Sequence, residues 1–439
     1  MVLFKSWILL IWAVTCPLTR ATSSGCVDAV TSEGLRTLQH SQGACAPPQL
    51  GEMGRDEGLR YLRCYLGKVY TMICPNNTRY DVGADTCTDP KLASCNVTDR
   101  DGARKNRTKR NSYLDQCTKE NCKLPNCFCS GDTPNLPFTD TPMFVMITFD
   151  DSVYDDLYHK FFKPLFVVNQ YNLFNPSGCP VKMGLYVSLQ YSNITLVREA
   201  YHAGNEIGSH TLYHELPEGE NLTYAAVAEA IVGVKQRILE ATGDRDLYDS
   251  MVGFRTPYLR CVGDIRNDVL KDHGFLYDSS LSNEENFYGR VPFWPYTFNY
   301  LPKRCCNCQC PSKRYEGLWQ VPLNAWLGDD GQVCAMVDGW TFDKDETFLA
   351  NRSVEQWYNY YHRHFLNYFY PYKVPMSFFA HGSTFYRSPN SYVALHLWLK
   401  GLLRQYPNVW VVPPKLVIQW MKRPLTHDQM KKDKWDCYV

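Results

Sequence analysis

From Met143 onward, short apolar runs alternate with longer amphipathic ones, and this rhythm limits the fold more than any other feature of the chain. MFVMITFDD (143–151) and KMGLYVSL (182–189) have the length and apolar character of buried strands. NLTYAAVAEAIVGVKQRILEATG (221–243) repeats its apolar residues at helical spacing. MVGFRTPY, GLWQVPLNAW, PMSFFAHGS and NVWVVPP read as further strands. Strands alternating with helices predict parallel β/α units, and in such folds the chemistry gathers at the C-terminal ends of the strands.

The polar residues of interest fall at those ends. Asp150 and Asp151 close the first run. Side chains alternate along a strand, so both can enter one site only if the chain turns there. In NEIGSHTLYHE (205–215), His210 and His214 stand four apart, on one face if the segment is helical. Thr211 occupies the place of the glutamate in H-E-x-x-H, which excludes that metalloprotease pattern. One aspartate with two histidines is an open metal site that leaves positions for water and substrate. Arg255 in GFRTPYLR can pair with a carboxylate, and Tyr258, following Pro257, keeps its N–H as a donor to an oxyanion. His381 ends SFFAH and is a candidate general acid.

The ordered set TFDD, SHTLYH, RTPY and His381 resembles carbohydrate esterase family 4, the polysaccharide deacetylases with NodB homology. CKLPNCFCSGD, WPYTFNY and GLWQVPLN add a likeness to the animal chitin deacetylases, over about residues 115–425. The resemblance implies a distorted, incomplete (β/α) barrel that removes N-acetyl groups from chitin. It implies Asp150 as general base, Asp151, His210 and His214 as ligands of one divalent ion, Zn²⁺ foremost, Arg255 as the group orienting Asp150, and His381 as general acid. Pro257 and Trp294 are the candidate substrate-binding residues, Trp294 as a wall of the sugar subsite. The chain departs from the family pattern in lacking a clean D-x-x-D-W, with Asp278 in YDSSLS as the nearest acid, and in carrying Phe379 where leucine is usual. That leaves the partner of His381 open. A chitin-binding matrix protein that keeps the fold without turnover is the rival reading.

The rest of the chain frames this domain. Residues 1–24 have the lysine, apolar core and small-residue end of a secretory signal peptide. Removing Cys16 with it leaves 18 of 19 cysteines, read as a disulfide framework in an extracellular protein. Residues 25–98 form a cysteine-rich, hairpin-forming module resembling peritrophin-type chitin-binding domains. Residues 99–114 are a basic linker in which Arg107-Thr108-Lys109-Arg110 also matches a convertase site, with the linker reading preferred. Residues 115–140 are a cysteine-rich connector, 141–425 the deacetylase domain and 426–439 a tail. Asn76, Asn96, Asn106, Asn193, Asn221 and Asn351 head glycosylation sequons. A net charge of +1 argues against nucleic acid as a partner. No apolar run after the signal reaches membrane-spanning length.

Overall fold

A computed structural model describes residues 117–260, 262–284, 291–302, 305, 307 and 310–437, together with the backbone of five short strands nearer the N-terminus. The chain divides into two units, one from Met1–Asn106 with Tyr288–Arg290, the other from the remaining residues. In the first, Arg60–Tyr65 and Lys68–Ile73 pair as an antiparallel hairpin, with Ala44–Cys45 alongside. Arg79–Asp81 and Thr86–Thr88 make a second hairpin. The cysteine pairing expected there, the linker with its Arg107–Arg110 motif, the signal segment, and Asn76, Asn96 and Asn106 lie outside the described residues.

The second unit is a curled, mostly parallel sheet with helices packed on it, an incomplete (β/α) barrel. Its strands are β1 (Met143–Asp151), β2 (Gly184–Val187), β3 (Glu206–Ser209), β4 (Gly253–Phe254), β5 (Tyr277–Asp278), β6 (Tyr296–Thr297), β7 (Trp319–Gln320), β8 (Met376–His381) and β9 (Val409–Val411). The order across the sheet is β6-β7-β5-β4-β3-β2-β1-β8, with β9 also on β1. All pairs are parallel except β6 with β7.

β1 sets the inside and outside of the barrel. Met143, Val145, Ile147 and Phe149 join the apolar cluster that also holds Phe162, Trp326, Trp357 and Phe378. Phe144 and Met146 join the other, with Tyr186, Phe254, Tyr277, Phe379 and Trp410. This period-two split is why the strand reads as one continuous apolar run: both its faces are covered. Thr148 and Asp150 continue the second series, so the same alternation carries Asp150 toward the Tyr186 and Phe379 side.

Helix Tyr224–Thr242 covers the expected amphipathic segment, capped by Thr223 and stopped by Gly243 in a left-handed conformation. Disulfides Cys117–Cys129 and Cys122–Cys127 occupy the connector, where clustered cysteines allowed zinc as the alternative. In CCNCQC, Cys305 pairs with Cys310. Cys334 departs from the all-paired framework: its thiol is free, and burial pushes it up to about 11. The stretch after 425 is structured. Helix His427–Asp433 has a capping box, buries Met430, and leads to Cys437, which is disulfide-bonded to Cys179. Of the sequons within the described residues, Asn221 and Asn351 are exposed. Asn193 is half-buried, and its side chain caps helix Ile194–His202 and donates to Asp155.

Candidate active site

Asp150, Asp151, His210, His214, Arg255 and His381, from the C-terminal ends of β1, β3, β4 and β8 and the loops that follow, gather around one point. β1 ends with Asp151 at φ 82°, a left-handed conformation that a non-glycine residue adopts at a cost. The turn breaks the strand alternation, and both carboxylates reach the same imidazole. His210 Nε2 lies 4.0 Å from Asp150 Oδ2 and 3.6 Å from Asp151 Oδ1. His214 Nε2 is 3.0 Å from the same Asp151 oxygen.

The two histidines are not on a helix. They follow β3 in a loop whose Thr211 and His214 have φ of 68° and 59°. Positive φ at two positions is incompatible with helical spacing, and this loop folds the imidazoles together instead, with ring centroids 5.0 Å apart. The loop is anchored by hydrogen bonds from His210 N to Val187 O and from Leu212 N to Ala230 O. His210 Nδ1 is 2.8 Å from the Arg255 carbonyl. With that nitrogen against the carbonyl, Nε2 is the ring nitrogen turned toward Asp151. Asp151 Oδ1 is buried without a hydrogen-bond partner. One carboxylate oxygen and two imidazole nitrogens therefore converge on a single point, an arrangement that suits a cation. The ligand atoms of Asp151, His210 and His214 all lie within 4.8 Å of one another. This donor set of one oxygen and two nitrogens fits an open divalent-metal site.

Asp150 belongs to a different arrangement. Its Oδ1 accepts from Arg255 Nη1 at 2.6 Å, and both residues are buried. Arg255 also donates to Thr148 Oγ1, to the Ser279 carbonyl and to Ser279 Oγ. Its guanidinium lies 4.1 Å from the Tyr186 ring centroid and 4.2 Å from that of Phe379. Four hydrogen bonds and two rings leave the arginine one position. Phe379, where the family pattern has leucine, supplies one of those rings.

His381 stands directly across from Asp150 in the β8–β1 register. The sequence left its partner open, and the structure supplies Asp338. Nδ1 of His381 lies 3.2 Å from Asp338 Oδ2, the same oxygen accepts the His381 backbone N–H at 2.8 Å, and Thr384 Oγ1 donates to it at 2.6 Å. Burial opposes a charge on His381, but the Asp338 carboxylate outweighs it and pushes the imidazole up to about 9. Burial likewise raises Asp338, yet the facing imidazolium and these hydrogen bonds hold it below the usual carboxylate range. Asp278, the acid that YDSSLS suggested, is engaged elsewhere: it pairs with Arg266 at 3.3 Å and accepts from Ser280.

Trp294 is not at the site. It is 2% exposed and stacks on Trp420 with centroids 5.5 Å apart, beside Phe144 at the opposite end of β1. Composition had no means of separating a core tryptophan from a sugar platform, and the ring resolved in favour of packing. Pro257 is buried at the start of the Pro257–Leu259 turn. That turn holds Tyr258 at φ 53°, its N–H without a backbone acceptor among the described residues. Two exposed aromatic rings flank the centre. Tyr258, 68% exposed, meets His214 edge-on at 4.6 Å, and Phe342, 54% exposed, meets His381 edge-on at 5.2 Å. Phe342 and Asp338 were missed because their loop (AMVDGWTF) has no periodicity to mark it. Its one signal is an acid placed among apolar residues.

Residues 139–277 match the family model for polysaccharide deacetylase. These residues carry a polysaccharide deacetylase domain. Among relatives, the chain is 28% identical to chitin deacetylase 1 of Bombyx mori over 333 residues, 72% of this chain and 58% of that protein. It is equally identical to chitin deacetylase 8 of the same organism over 328 residues, covering 72% of this chain and 80% of that one. The chain thus spans little more than half the length of the first of these relatives. Among solved structures, a family 4 carbohydrate esterase of Streptomyces lividans overlaps 34% of this chain and 68% of its own, at 20% identity and a TM-score of 0.23. Asp150, Asp151, His210, His214 and Arg255 lie within the matched residues, and His381 on β8 lies beyond them, directly across from Asp150.

Proposed function

We propose that the protein is a secreted, metal-dependent chitin deacetylase that hydrolyses N-acetyl groups to give chitosan and acetate. The observation that carries this reading is the separation of roles: Asp150 is fixed by Arg255, while the adjacent Asp151 is left free to ligate beside His210 and His214. Chitin as substrate rests on the likeness to the Bombyx mori chitin deacetylases. Secretion rests on the signal-like N-terminus, the sequons and the disulfides, and no helix among the described residues is long and apolar enough to cross a membrane.

Asp151, His210 and His214 would hold the divalent ion, Zn²⁺ by preference for this donor set. The bound ion supplies Lewis-acid polarisation of the acetyl carbonyl and a lowered pKa for water. The chain's own residues do the rest. Asp150 accepts the proton of the attacking water, and Arg255 keeps that carboxylate aimed. The Tyr258 N–H faces the developing oxyanion. His381, protonated through Asp338, donates to the departing amine, which an amide requires because its nitrogen is a poor leaving group. Tyr258 and Phe342 offer apolar rings on either side of this centre for neighbouring sugar units.

Acetate release from chitin oligomers, measured with and without chelator, tests the reading. Release that chelation abolishes and Zn²⁺ restores is expected. Binding to chitin with no release by the zinc-loaded protein would replace it with the matrix-binding reading.

A further inference from the structure

Beneath Arg255, a chain of hydroxyls runs through the barrel interior to a carboxylate at the other end of the sheet. Tyr186 on β2, whose ring faces the guanidinium, has its hydroxyl 2.8 Å from that of Tyr277 on β5. Tyr277 donates to Glu206 Oε1 at 2.6 Å, and Glu206 Oε2 accepts the Lys415 backbone N–H at 2.9 Å. Tyr186, Tyr277 and Glu206 are 1%, 0% and 7% exposed. Because the proton of Tyr277 is committed to Glu206, Tyr186 must be the donor in the Tyr–Tyr bond. Both hydroxyls thus point away from the active site, toward the carboxylate.

The barrel is built around this chain. A Cβ at Gly208 would come within 2.7 Å of the Tyr186 ring, and one at Gly253 would overlap the Tyr277 hydroxyl. Two adjacent strands give up a side chain so that two phenols can fit. Glu206 sits at the N-terminal end of β3, lining a cavity of about 230 Å³ with Tyr201, Asn205, Pro413 and Lys415. Burial raises its pKa against the opposing hydrogen bonds, so the group is held in the interior at a cost. The deacetylase chemistry makes no direct use of it.

We infer that Tyr186, Tyr277 and Glu206 are positioning residues that hold Arg255, and through it Asp150, in the geometry for proton abstraction. The physical link is polarisation. A phenol that donates its proton toward a carboxyl oxygen carries more electron density in its ring, and hydrogen bonds in series reinforce one another at low dielectric. A richer Tyr186 ring holds the desolvated guanidinium more firmly. The hydroxyl bond also fixes the ring plane against which the arginine lies. The inference rests on Asp150 being the base.

The test compares Tyr186→Phe, Tyr277→Phe, Glu206→Gln and Tyr186→Leu in the full-length, zinc-loaded protein. Turnover is counted per bound metal, so loss of folded protein does not enter. Expected is a fall in kcat of roughly 3- to 100-fold with KM unchanged, because small displacements of a catalytic group act on the reacting step. Tyr186→Leu should fall furthest, and Tyr186→Phe, which keeps the ring, should recover part of the loss. Unchanged kcat per metal in both Tyr277→Phe and Glu206→Gln, whatever their melting temperatures, overturns the inference. A second measurement is independent of turnover: melting-temperature losses of Tyr277→Phe and Arg255→Lys should not add, although the two residues do not touch. Additive losses count against the inference. Thr148→Val replaces Arg255→Lys if the latter does not fold. A wild-type protein that releases no acetate sinks the deacetylase reading, and the cycle still judges the positioning.

Discussion

The two halves of the active site are built by opposite strategies. The acid–base half sits on sheet strands, and each working group has a buried counter-charge: Asp150 has Arg255, and His381 has Asp338. The ligand half sits on turns with left-handed backbone at Asp151, Thr211 and His214, and Asp151 Oδ1 has no hydrogen-bond partner. One half is satisfied by protein alone. The other gathers one carboxylate oxygen and two imidazole nitrogens with no counter-charge from an arginine or lysine beside them among the described residues. Three left-handed residues and the Asp151 oxygen thus fall where a bound ion would offset their cost.

The largest expected effects break the comparison at its centre. Asp151→Ala and His214→Ala should each lose bound metal, since three ligands leave no spare, and acetate release should fall to background. Asp150→Asn should retain metal and lose roughly 10²–10⁴ in turnover, the range for removing a general acid or base. Metal content per chain beside acetate release reads both. If Asp150→Asn strips the metal while Asp151→Ala does not, the two halves have been assigned the wrong way round.

Next in size is Arg255→Met. It leaves the buried Asp150 carboxylate without its partner, which costs about 3–5 kcal/mol in stability when a buried pair is broken from one side. The measurement is urea unfolding of the metal-free protein. A loss below about 1 kcal/mol would mean that the Arg255–Asp150 pair does not hold this half of the site together.

How much of this was legible in the sequence follows the same division. The strand ends were, because an apolar run that stops at a polar residue marks both the fold and the site: Asp150, Asp151, Arg255 and His381 all sit on such stops. His210 and His214 were legible as a pair but not as a loop, since a four-residue spacing fits a helix equally well. Asp338 was not legible, because its tie to His381 spans 43 positions and only tertiary structure creates it. Trp294 misled for a related reason. Aromatic composition says that rings exist, while Trp420 and Phe144 decide where this one is buried.

A smaller effect probes the acid half alone. His381 titrates upward, to about 9 from 6.5, so its protonated form is the one the fold favours. Its pairing with Asp338 therefore contributes stability that is complete below pH 6.5 and is lost as pH rises through about 9. Activity on amide substrates should decline over the same alkaline range. A bound divalent cation opposes the imidazolium, so the limb lies at or below about 9. Asp338→Asn should move it down toward 6.5, with metal content unchanged and a smaller loss on activated acetyl esters, whose leaving groups scarcely need a proton. A pH–rate profile of the two proteins decides it. An unmoved limb would mean that another group sets it.

The smallest effect is the most selective for the ligand half. Gly233 lies in the middle of helix Tyr224–Thr242, where alanine would be favoured by ~0.5–1 kcal/mol. Its place is explained by Leu212, which stands between His210 and His214: a Cβ at Gly233 would come within 2.8 Å of Leu212 Cδ1. Leu212 N also donates to Ala230 O on the same helix, so the loop has little room to retreat. Gly233→Ala should thus gain helix propensity and push on the turn that presents His210 and His214. Stability should change little, the two terms opposing each other, while Zn²⁺ affinity falls ~10-fold, the scale seen when groups supporting ligands are disturbed. Thermal unfolding and competitive metal titration measure the two terms separately. The alkaline limb set by His381 should stay where it is, since the hydrogen bonds that hold His381 come from Asp338 and not from this loop. A shift in that limb would show that the halves share more than a boundary at Asp150 and Asp151, and that the loop carrying the ligands also shapes the acid.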